Sequence, residues 1–266
     1  MSALPQTRDK RMHGTNFRDS KGIYTWKNER YPSVTTILKM KDKPALPRWA
    51  SKSVAEFVKG EAERRNRGEI TGAQLMETIL DVDRMKSAPW NYAEKKRDMG
   101  STFHDVAEQI TLGTPVSPAA FGDDVRGYIE SFLLWLETWK PEFEASEFAC
   151  FNRSVGYAGT CDALVRLNGR LVAFDFKTGA DSYDEHALQL SAYRHAEFIG
   201  LQDGTEEPMP ETDGGCILLP QPDGSIAKLL EWPTGEAEFR SFSALKTIYD
   251  WAQTKPKYQE VSLCLF

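Results

Sequence analysis

The spacing of apolar residues changes at Pro141, from a helical period before it to a strand period after it. Before this proline, apolar residues recur every three or four positions, most clearly over 118–139, where they form one face of a helix. After it, three strand-like runs follow one another, and then come a helix over 184–199 and two further strands. This order predicts an α/β fold with a central mixed sheet flanked by helices.

The remaining elements follow from the same patterns and from turn and cap residues. The N-terminal part predicts a β-hairpin of Ile23–Trp26 and Tyr31–Leu38 around a turn at 27–30. The predicted helices cover 47–59, 71–97, 100–110 with Ser101 or Thr102 as its cap, 118–139, 184–199 and 235–254. The predicted strands after Pro141 cover 146–153, 159–167, 170–178, 215–220 and 225–232.

Length and composition bound the domain organisation. A chain of 266 residues, 41% of them apolar, can build one sizeable core. We expect residues 1–22 to be a mobile lead-in and 23–266 to be one integrated domain. Its first portion, 23–100, is a basic hairpin and helical part, and 101–266 is the core. There is no apolar segment of the kind that signal peptides or membrane spans need, so a cytoplasmic protein is expected.

The net charge of −6 is the sum of two opposite halves. Residues 1–100 contain 21 Lys and Arg against 13 Asp and Glu, whereas residues 101–266 contain 12 against 26. A basic half is what a surface that follows a phosphate backbone would show, although mixed Lys and Glu helices also form ordinary solvated faces. The aromatic residues that could stack on bases in this half are Trp26, Trp49, Trp90 and Tyr92.

A predicted hairpin brings two aspartates together. Asn168-Gly169 stands between two strand-like runs, which is the strongest short-range signal for a two-residue type I′ turn. With this turn, residues whose numbers sum to 337 face each other, so Asp162 faces Asp175 at a Cβ separation of about 4.5–5.5 Å. Like charges in this position repel, and a divalent cation with oxygen ligands would relieve the repulsion.

Lys177 adds a cation to this pair. It follows Asp175 by two residues, so it projects from the same face of the strand. A lysine beside two ligating carboxylates suits a site where negative charge develops on phosphorus or where water must be oriented. The alternative is an exposed hairpin with scattered charges, which the apolar neighbours Ala163, Val165 and Phe174 disfavour.

These residues belong to a larger set in a fixed order. Asp162, Asp175-Phe176-Lys177 and Gln189-Leu-Ser-Ala-Tyr193 follow one another, with His104 in a Gly-x-x-x-His segment upstream. The set resembles the signature of the PD-(D/E)XK nuclease superfamily and, through His104, its RecB-like exonuclease branch. Tyr31–Leu38 resembles the opening of phage-encoded members. The resemblance covers about residues 24–200 and implies a restriction-endonuclease-like core.

The resemblance implies a metal site. Asp162 and Asp175 would ligate Mg²⁺ or Mn²⁺, the backbone carbonyl of Phe176 would add an oxygen, and His104 would add a nitrogen. Because imidazole prefers softer metals, the histidine points to Mn²⁺ in addition to Mg²⁺. Taken in isolation, His104 fits a hydrogen-bonded helix histidine better than a metal ligand, since a lone histidine predicts a ligand poorly.

The resemblance also implies roles around the metal. With Asp162 and Asp175, Lys177 would be catalytic: it would orient the attacking water and stabilise charge on the phosphate. Gln189 and Tyr193 lie four apart on one helical face and would touch the edge of the active site or the DNA backbone. Glu147, on the preceding strand, would reach the metal through water. Gln189 as a surface residue and Tyr193 as a core aromatic are the alternatives.

The cysteines separate this chain from one subgroup of that branch. They are Cys150, Cys161, Cys216 and Cys264, and they contain no C-x-x-C pair, which predicts reduced, mostly buried thiols. The CRISPR-associated members use one upstream cysteine and three near the C-terminal end to hold an iron–sulfur cluster. Since none here precedes Cys150 and only Cys264 lies near the end, we expect no cluster.

The function that follows is metal-dependent hydrolysis of DNA. We expect an exonuclease that prefers single strands or free ends, in phage DNA recombination, replication or repair, within the host bacterial cytoplasm. A structure-specific endonuclease is one alternative. A catalytically inactive DNA-binding module of the same fold is another, which the intact Asp162, Asp175 and Lys177 disfavour.

Overall fold

The computed structural model describes residues 18–258. Residues 1–17 of the predicted lead-in and Cys264 therefore lie outside the described residues. Contacts divide the described chain into two compact units. The first contains the described residues of Met1–Lys41 and Phe103–Phe266, and the second is Asp42–Thr102. The predicted single domain over 23–266 stays a prediction.

The first unit contains nine strands among its described residues. They are β1 (Ile23–Trp26), β2 (Glu29–Pro32), β3 (Glu142–Asn152), β4 (Tyr157–Leu167), β5 (Arg170–Phe176), β6 (Phe198–Gly200), β7 (Glu206–Pro208), β8 (Gly214–Leu219) and β9 (Lys228–Trp232). β1 and β2 form a separate hairpin, and the others form one sheet in the order β7-β6-β3-β4-β5-β8-β9. β5 and β8 pair in parallel and the other pairs are antiparallel. The predicted α/β class with a central mixed sheet is confirmed.

Seven α-helices accompany these strands in the described chain. They are α1 (Val34–Ile37), α2 (Ala45–Asn66), α3 (Gly72–Leu80), α4 (Val82–Thr111), α5 (Asp123–Trp139), α6 (Glu185–Arg194) and α7 (Glu236–Gln253). α6 lies in the crossover that the parallel β5–β8 pair requires. No helix of the described chain is long and apolar enough to span a membrane.

Both faces of the sheet are covered by helices of the first unit. On one face, Phe103, Phe132 and Trp135 from the end of α4 and from α5 pack against Phe174 and Phe176 of β5. Because side chains alternate along a strand, Ala173 points to the other face. There it belongs to a core cluster whose helical members include Ala192, Tyr193 and Phe242. The middle strands of the sheet, β3, β4 and β5, thus lie in a packed interior.

The predicted turn at Asn168-Gly169 is confirmed. Both residues have positive φ, 51° and 80°, as a type I′ turn requires. The ladder between β4 and β5 begins at Leu167 opposite Arg170 and runs to Ala163 opposite Phe174. This is the register in which paired residue numbers sum to 337, so the turn fixes the alignment of the two strands that carry the aspartates.

The predicted strand Tyr31–Leu38 is wrong beyond Pro32. The hairpin has a two-residue turn in which Lys27 and Asn28 have φ of 46° and 69°, so its second strand is β2. Ser33 then begins α1, because its Oγ accepts a hydrogen bond from the amide of Thr36 at 3.0 Å. A local cap therefore overrides the strand preference of the β-branched residues that follow.

The predicted helix boundaries at 97–102 and 194–199 are also wrong. α4 is continuous through Ser101 and Thr102, and neither caps a helix: Thr102 Oγ1 donates to the carbonyl of Asp98 at 2.9 Å. α6 ends at Arg194, and the residues predicted to continue it form β6, which pairs with β3. Backbone pairing at the sheet edge decides that segment, which short apolar runs do not reveal.

Two further predictions concern buried residues. Cys150, Cys161 and Cys216 are buried free thiols, as predicted. The prediction that Trp26 could stack on bases is wrong, because its side chain is 3% exposed and its Nε1 donates a hydrogen bond to Glu206 at 2.8 Å. Its ring packs with Phe151 in a small core cluster of the first unit.

The second unit is helical and nearly balanced in charge. Residues 42–102 contain twelve Lys and Arg and ten Asp and Glu. Many of these pair within a helix or turn: the pairs are Lys52–Glu56, Lys59–Glu63, Arg64–Glu61, Arg67–Glu69, Lys86–Asp83 and Arg97–Glu94. The positive excess of the N-terminal half is therefore concentrated before residue 42.

Gly127 of α5 provides a test of the packing between this helix and the turn after β8. A Cβ at Gly127 would lie 1.9 Å from the carbonyl oxygen of Pro222. We expect Gly127→Ala to lower the free energy of unfolding by roughly 1–3 kcal/mol, although alanine is the better helix former. A Cβ added at Gly60 of α2 would have no such neighbouring atom within 4 Å. Gly60→Ala should therefore raise stability by up to about 1 kcal/mol in urea unfolding, and equal effects of the two would contradict the packing.

Candidate metal centre

Three carboxylates lie in one row across β3, β4 and β5. The β3–β4 ladder pairs Ser146 with Ala163 and Phe148 with Cys161, which places Glu147 opposite Asp162. One step beyond the last pair of the β4–β5 ladder come Asp162 and Asp175. The row is deep in the molecule, since Asp162 is 6% exposed and Asp175 is 2% exposed. Burial of like charges side by side is unfavourable unless a cation compensates them.

The backbone of Glu147 is strained. Its φ is 45°, in the left-handed region, although it is a non-glycine residue inside a strand. Such a conformation costs on the order of 1–2 kcal/mol and persists only where the surroundings enforce it. Here it accompanies a gap in the ladder at Glu147, whose carboxylate lies beside an imidazole from another element.

That imidazole is His104, carried by the last two turns of α4. Its Nδ1 lies 3.5 Å from Glu147 Oε1 and 3.5 Å from Asp162 Oδ2. The ring packs against the aromatic rings of Phe103 and Phe176. The helix thus brings one nitrogen to the end of the row at which two carboxylates converge.

The pKa values of this group reflect its crowding. Burial alone would lower the pKa of His104, but the carboxylates of Asp162 and Glu147 outweigh it and raise the value to about 9. The pKa of Asp162 is raised, and burial is the largest cause. The His104 charge lowers this pKa, while the charges of Asp175 and Glu147 raise it further. Glu147 and Asp162 therefore share the positive charge of one imidazolium.

The geometry of the three side chains fits one divalent cation. Ligand atoms of His104, Glu147 and Asp162 all lie within 4.8 Å of one another. An ion that bonds its ligands at roughly 2.0–2.4 Å can reach atoms separated by up to about 4.8 Å. One nitrogen with carboxylate oxygens is a donor set that suits a transition metal such as Mn²⁺ better than Mg²⁺ or Ca²⁺, which prefer oxygen ligands alone. Glu147, expected only as an indirect partner, is therefore a member of the group itself.

Asp175 is held from two sides next to this group. Gln189 Nε2 donates to Asp175 Oδ1 at 2.7 Å, and Lys177 forms an ion pair with Oδ2. Gln189 Nε2 also lies 2.9 Å from the hydroxyl of Tyr193, and both residues of α6 are buried. The predicted contact of Gln189 and Tyr193 with DNA stays a prediction, since here they support the carboxylate from within the core.

The Lys177 ammonium is charged. Burial would lower its pKa, but Asp175 and Asp162 more than offset this and raise it. Its side chain is 27% exposed, so the ammonium borders solvent while its ion pair is buried. A charged lysine in this place can stabilise an anion that approaches the row from solvent.

Phe176 contributes through its amide. Beyond the last pair of the ladder, the Phe176 N–H donates to Asp162 Oδ2 at 2.6 Å. The hydrogen bond orients the Asp162 carboxylate toward His104. The role expected for the Phe176 carbonyl as a metal ligand stays a prediction.

The structure thus brings all the sequence-predicted site residues into one region of the first unit, as two linked subsets. The first subset is His104, Glu147 and Asp162, and the second is Asp175, Lys177, Gln189 and Tyr193. No protein-family model matches the chain, and no curated protein matches it. The family resemblance therefore rests on these residues alone.

Glu147 offers a direct test of the metal group. Glu147→Gln removes a charged ligand, so we expect Mn²⁺ affinity to fall at least roughly tenfold. Glu144→Gln is the matched control on the same strand, because Glu144 bonds Arg166 at 2.8 Å and stands apart from the group. Isothermal titration calorimetry measures both, and equal affinities for the two variants would contradict the site.

Metal binding should also depend on pH. With a pKa of about 9, His104 is an imidazolium at pH 7, and a metal ligand must be neutral. Binding therefore displaces a proton, and affinity should tighten, up to about tenfold per pH unit per proton, from pH 6.5 to 8.5. The binding enthalpy measured at pH 7 in buffers of different ionisation enthalpy should reveal the released proton. An enthalpy independent of the buffer would rule out His104 as a ligand.

Proposed function

We propose that this protein is a metal-dependent DNA nuclease of the RecB-like branch of the PD-(D/E)XK superfamily. The observation that carries the proposal is the position of the Lys177 ammonium beside a buried carboxylate row that also includes an imidazole. In a purely structural metal site, a cation next to the ligands would oppose metal binding. In a site that binds a phosphate anion, the same cation balances the charge of the substrate.

The arrangement of strands supports a restriction-endonuclease-like core. Three consecutive antiparallel strands, β3, β4 and β5, carry the acidic residues, and the long connection from β5 to its parallel neighbour β8 contains α6. The motif residues Asp162, Asp175 and Lys177 lie at the open end of the β4–β5 hairpin, away from its turn. Gln189 and Tyr193 come from the crossover helix and buttress Asp175.

Each residue has a distinct role in this proposal. His104, Glu147 and Asp162 would hold Mg²⁺ or Mn²⁺, with Asp175 completing the acidic row. When bound, the cation supplies Lewis-acid polarisation of the scissile phosphate. Lys177, fixed by Asp175, stabilises the negative charge that develops on phosphorus and orients the attacking water. Gln189 fixes Asp175, so the lysine is presented in one orientation.

DNA is the proposed substrate, as a single strand or a free end, in phage DNA recombination, replication or repair in the bacterial cytoplasm. The proposal includes no iron–sulfur cluster. A structure-specific endonuclease is the alternative within the same chemistry. An inactive DNA-binding module is disfavoured, because the lysine and the three carboxylates are all present and brought together.

Lys177→Ala tests the chemistry. The variant should cleave a labelled single-stranded oligonucleotide at least roughly 100-fold more slowly in Mn²⁺, because the charge stabilisation is lost. Its affinity for the same DNA, measured in Ca²⁺, should change little. Lys228→Ala, which removes an exposed lysine from β9, should cleave normally. Wild-type cleavage rates in purified Lys177→Ala would overturn the mechanism.

The mode of cleavage separates the two nuclease proposals. An obligate exonuclease leaves circular single-stranded DNA intact and shortens the linear form from an end, whereas an endonuclease linearises the circle. We expect the circle to survive in Mn²⁺ and both forms to survive in EDTA. Degradation of the circle at the rate of the linear strand would favour the endonuclease.

A further inference from the structure

A small turn at the start of the described chain is built onto α1. In this turn, 18–22, the carboxylate of Asp19 accepts hydrogen bonds from the amides of Lys21 and Ile23, both at 2.9 Å. Gly22 has a φ of 77°, and a Cβ there would lie 2.5 Å from Thr36 Oγ1, so only glycine lets the turn sit against the helix. The turn thereby places Arg18 in a defined position.

Arg18 lies over an exposed hydroxyl of α1. Its Nη2 donates to Thr35 Oγ1 at 3.3 Å, and Thr35 Oγ1 lies 3.1 Å from Ser33 Oγ. Both Arg18 and Thr35 are exposed. Within the described residues 18–258, the Arg18 guanidinium has no carboxylate within ion-pair distance, whereas Arg30 of the same hairpin pairs with Asp19 at 3.7 Å. Arg18 therefore keeps donors available for an anion.

This position is linked to the carboxylate row through β4. Ser33 forms a β-bridge with Ala158, near the start of β4, and Asp162 comes four residues later on the same strand. At about 3.3 Å per residue, the two points are roughly 13 Å apart along the strand. The bridge that joins Ser33 to β4 is thus one short strand segment away from Asp162.

The path between them is polar. Thr160 lies on β4 midway between Ala158 and Asp162 and is partly exposed. Its Oγ1 lies 2.8 Å from the hydroxyl of Tyr24. Burial raises the pKa of Tyr24, and among the charges that act on it Arg18 lowers it while Glu147 raises it. Both the guanidinium and the acidic row therefore act on the same hydroxyl.

The charge of this region suits a phosphate backbone. Residues 18–41 contain six Lys and Arg and only two Asp and Glu. A strand that extends from the metal group toward this turn would meet the Arg18 guanidinium.

We propose that Arg18, held against Thr35, binds a backbone phosphate of the substrate strand other than the scissile phosphate. The inference rests on the proposed function and deepens it, because it names the residue that fixes the strand beside the site. Arginine suits this role, since its planar donors match a phosphate group and it stays charged at every working pH.

The test uses DNA binding, with cleavage prevented by Lys177→Ala in the full chain. In that background, Arg18→Gln should weaken binding of a labelled single-stranded oligonucleotide about tenfold in Ca²⁺, as expected for loss of a charged hydrogen bond. The slope of log Kd against log salt should also fall by about 0.7, which corresponds to one phosphate contact on a single strand. Arg30→Gln is the matched control and should do neither.

A scan with neutral phosphates locates the contact. Oligonucleotides that each carry one methylphosphonate should bind the Arg18 protein more weakly when the neutral linkage replaces the scissile phosphate or the phosphate at Arg18, and Arg18→Gln should be insensitive only at the second of these positions. If DNA binds but Arg18→Gln behaves as Arg30→Gln does, the inference is wrong while the proposed function stands. If the protein with intact Arg18 binds no DNA, the proposed function fails and the inference fails with it.

Discussion

Mutual repulsion among buried carboxylates is the constraint on which the candidate site depends. Glu147, Asp162 and Asp175 are aligned across three neighbouring strands, and little water can screen the two aspartates because both are buried, while Glu147 is half-buried. Among the described residues, the charges that lie beside them are the His104 imidazolium and the Lys177 ammonium. A protein built for stability alone would fill such a row with apolar side chains. The retained charge is what the proposed cation site requires.

The surrounding fold keeps this unfavourable arrangement in place. The strands carrying the row are fixed by their register, and the core on both faces of the sheet holds α4 and α6 against it. Glu147 keeps a left-handed backbone, and Gln189 holds Asp175 through a buried hydrogen bond. Strain and buried polar groups concentrated in one place are typical of functional sites. The packing of the sheet therefore offsets the unfavourable free energy of the strained and charged residues at the site.

The sequence was sufficient for the part of the site that depends on a short turn. Asn168-Gly169 determines the β4–β5 register from local chemistry, so the approach of Asp162 to Asp175 was predictable. The alignment of β3 was not, because the longer turn at 153–156 leaves the register open, and no local pattern indicates the φ of Glu147. The resemblance alone suggested His104, whose contacts depend on tertiary packing of α4. At Ser33 the strand prediction from local propensity was wrong, because the helix cap formed by its side chain outweighs the strand preference of the residues that follow.

The most direct test of the central claim is anomalous diffraction at the manganese edge from crystals soaked in Mn²⁺. The account predicts a peak within about 2.0–2.4 Å of a nitrogen of His104 and of carboxylate oxygens of Glu147 and Asp162. It also predicts that the peak disappears in Glu147→Gln crystals soaked in the same way. Mn²⁺ bound elsewhere, with these three side chains still arranged around an ordered water or an empty space, would contradict it.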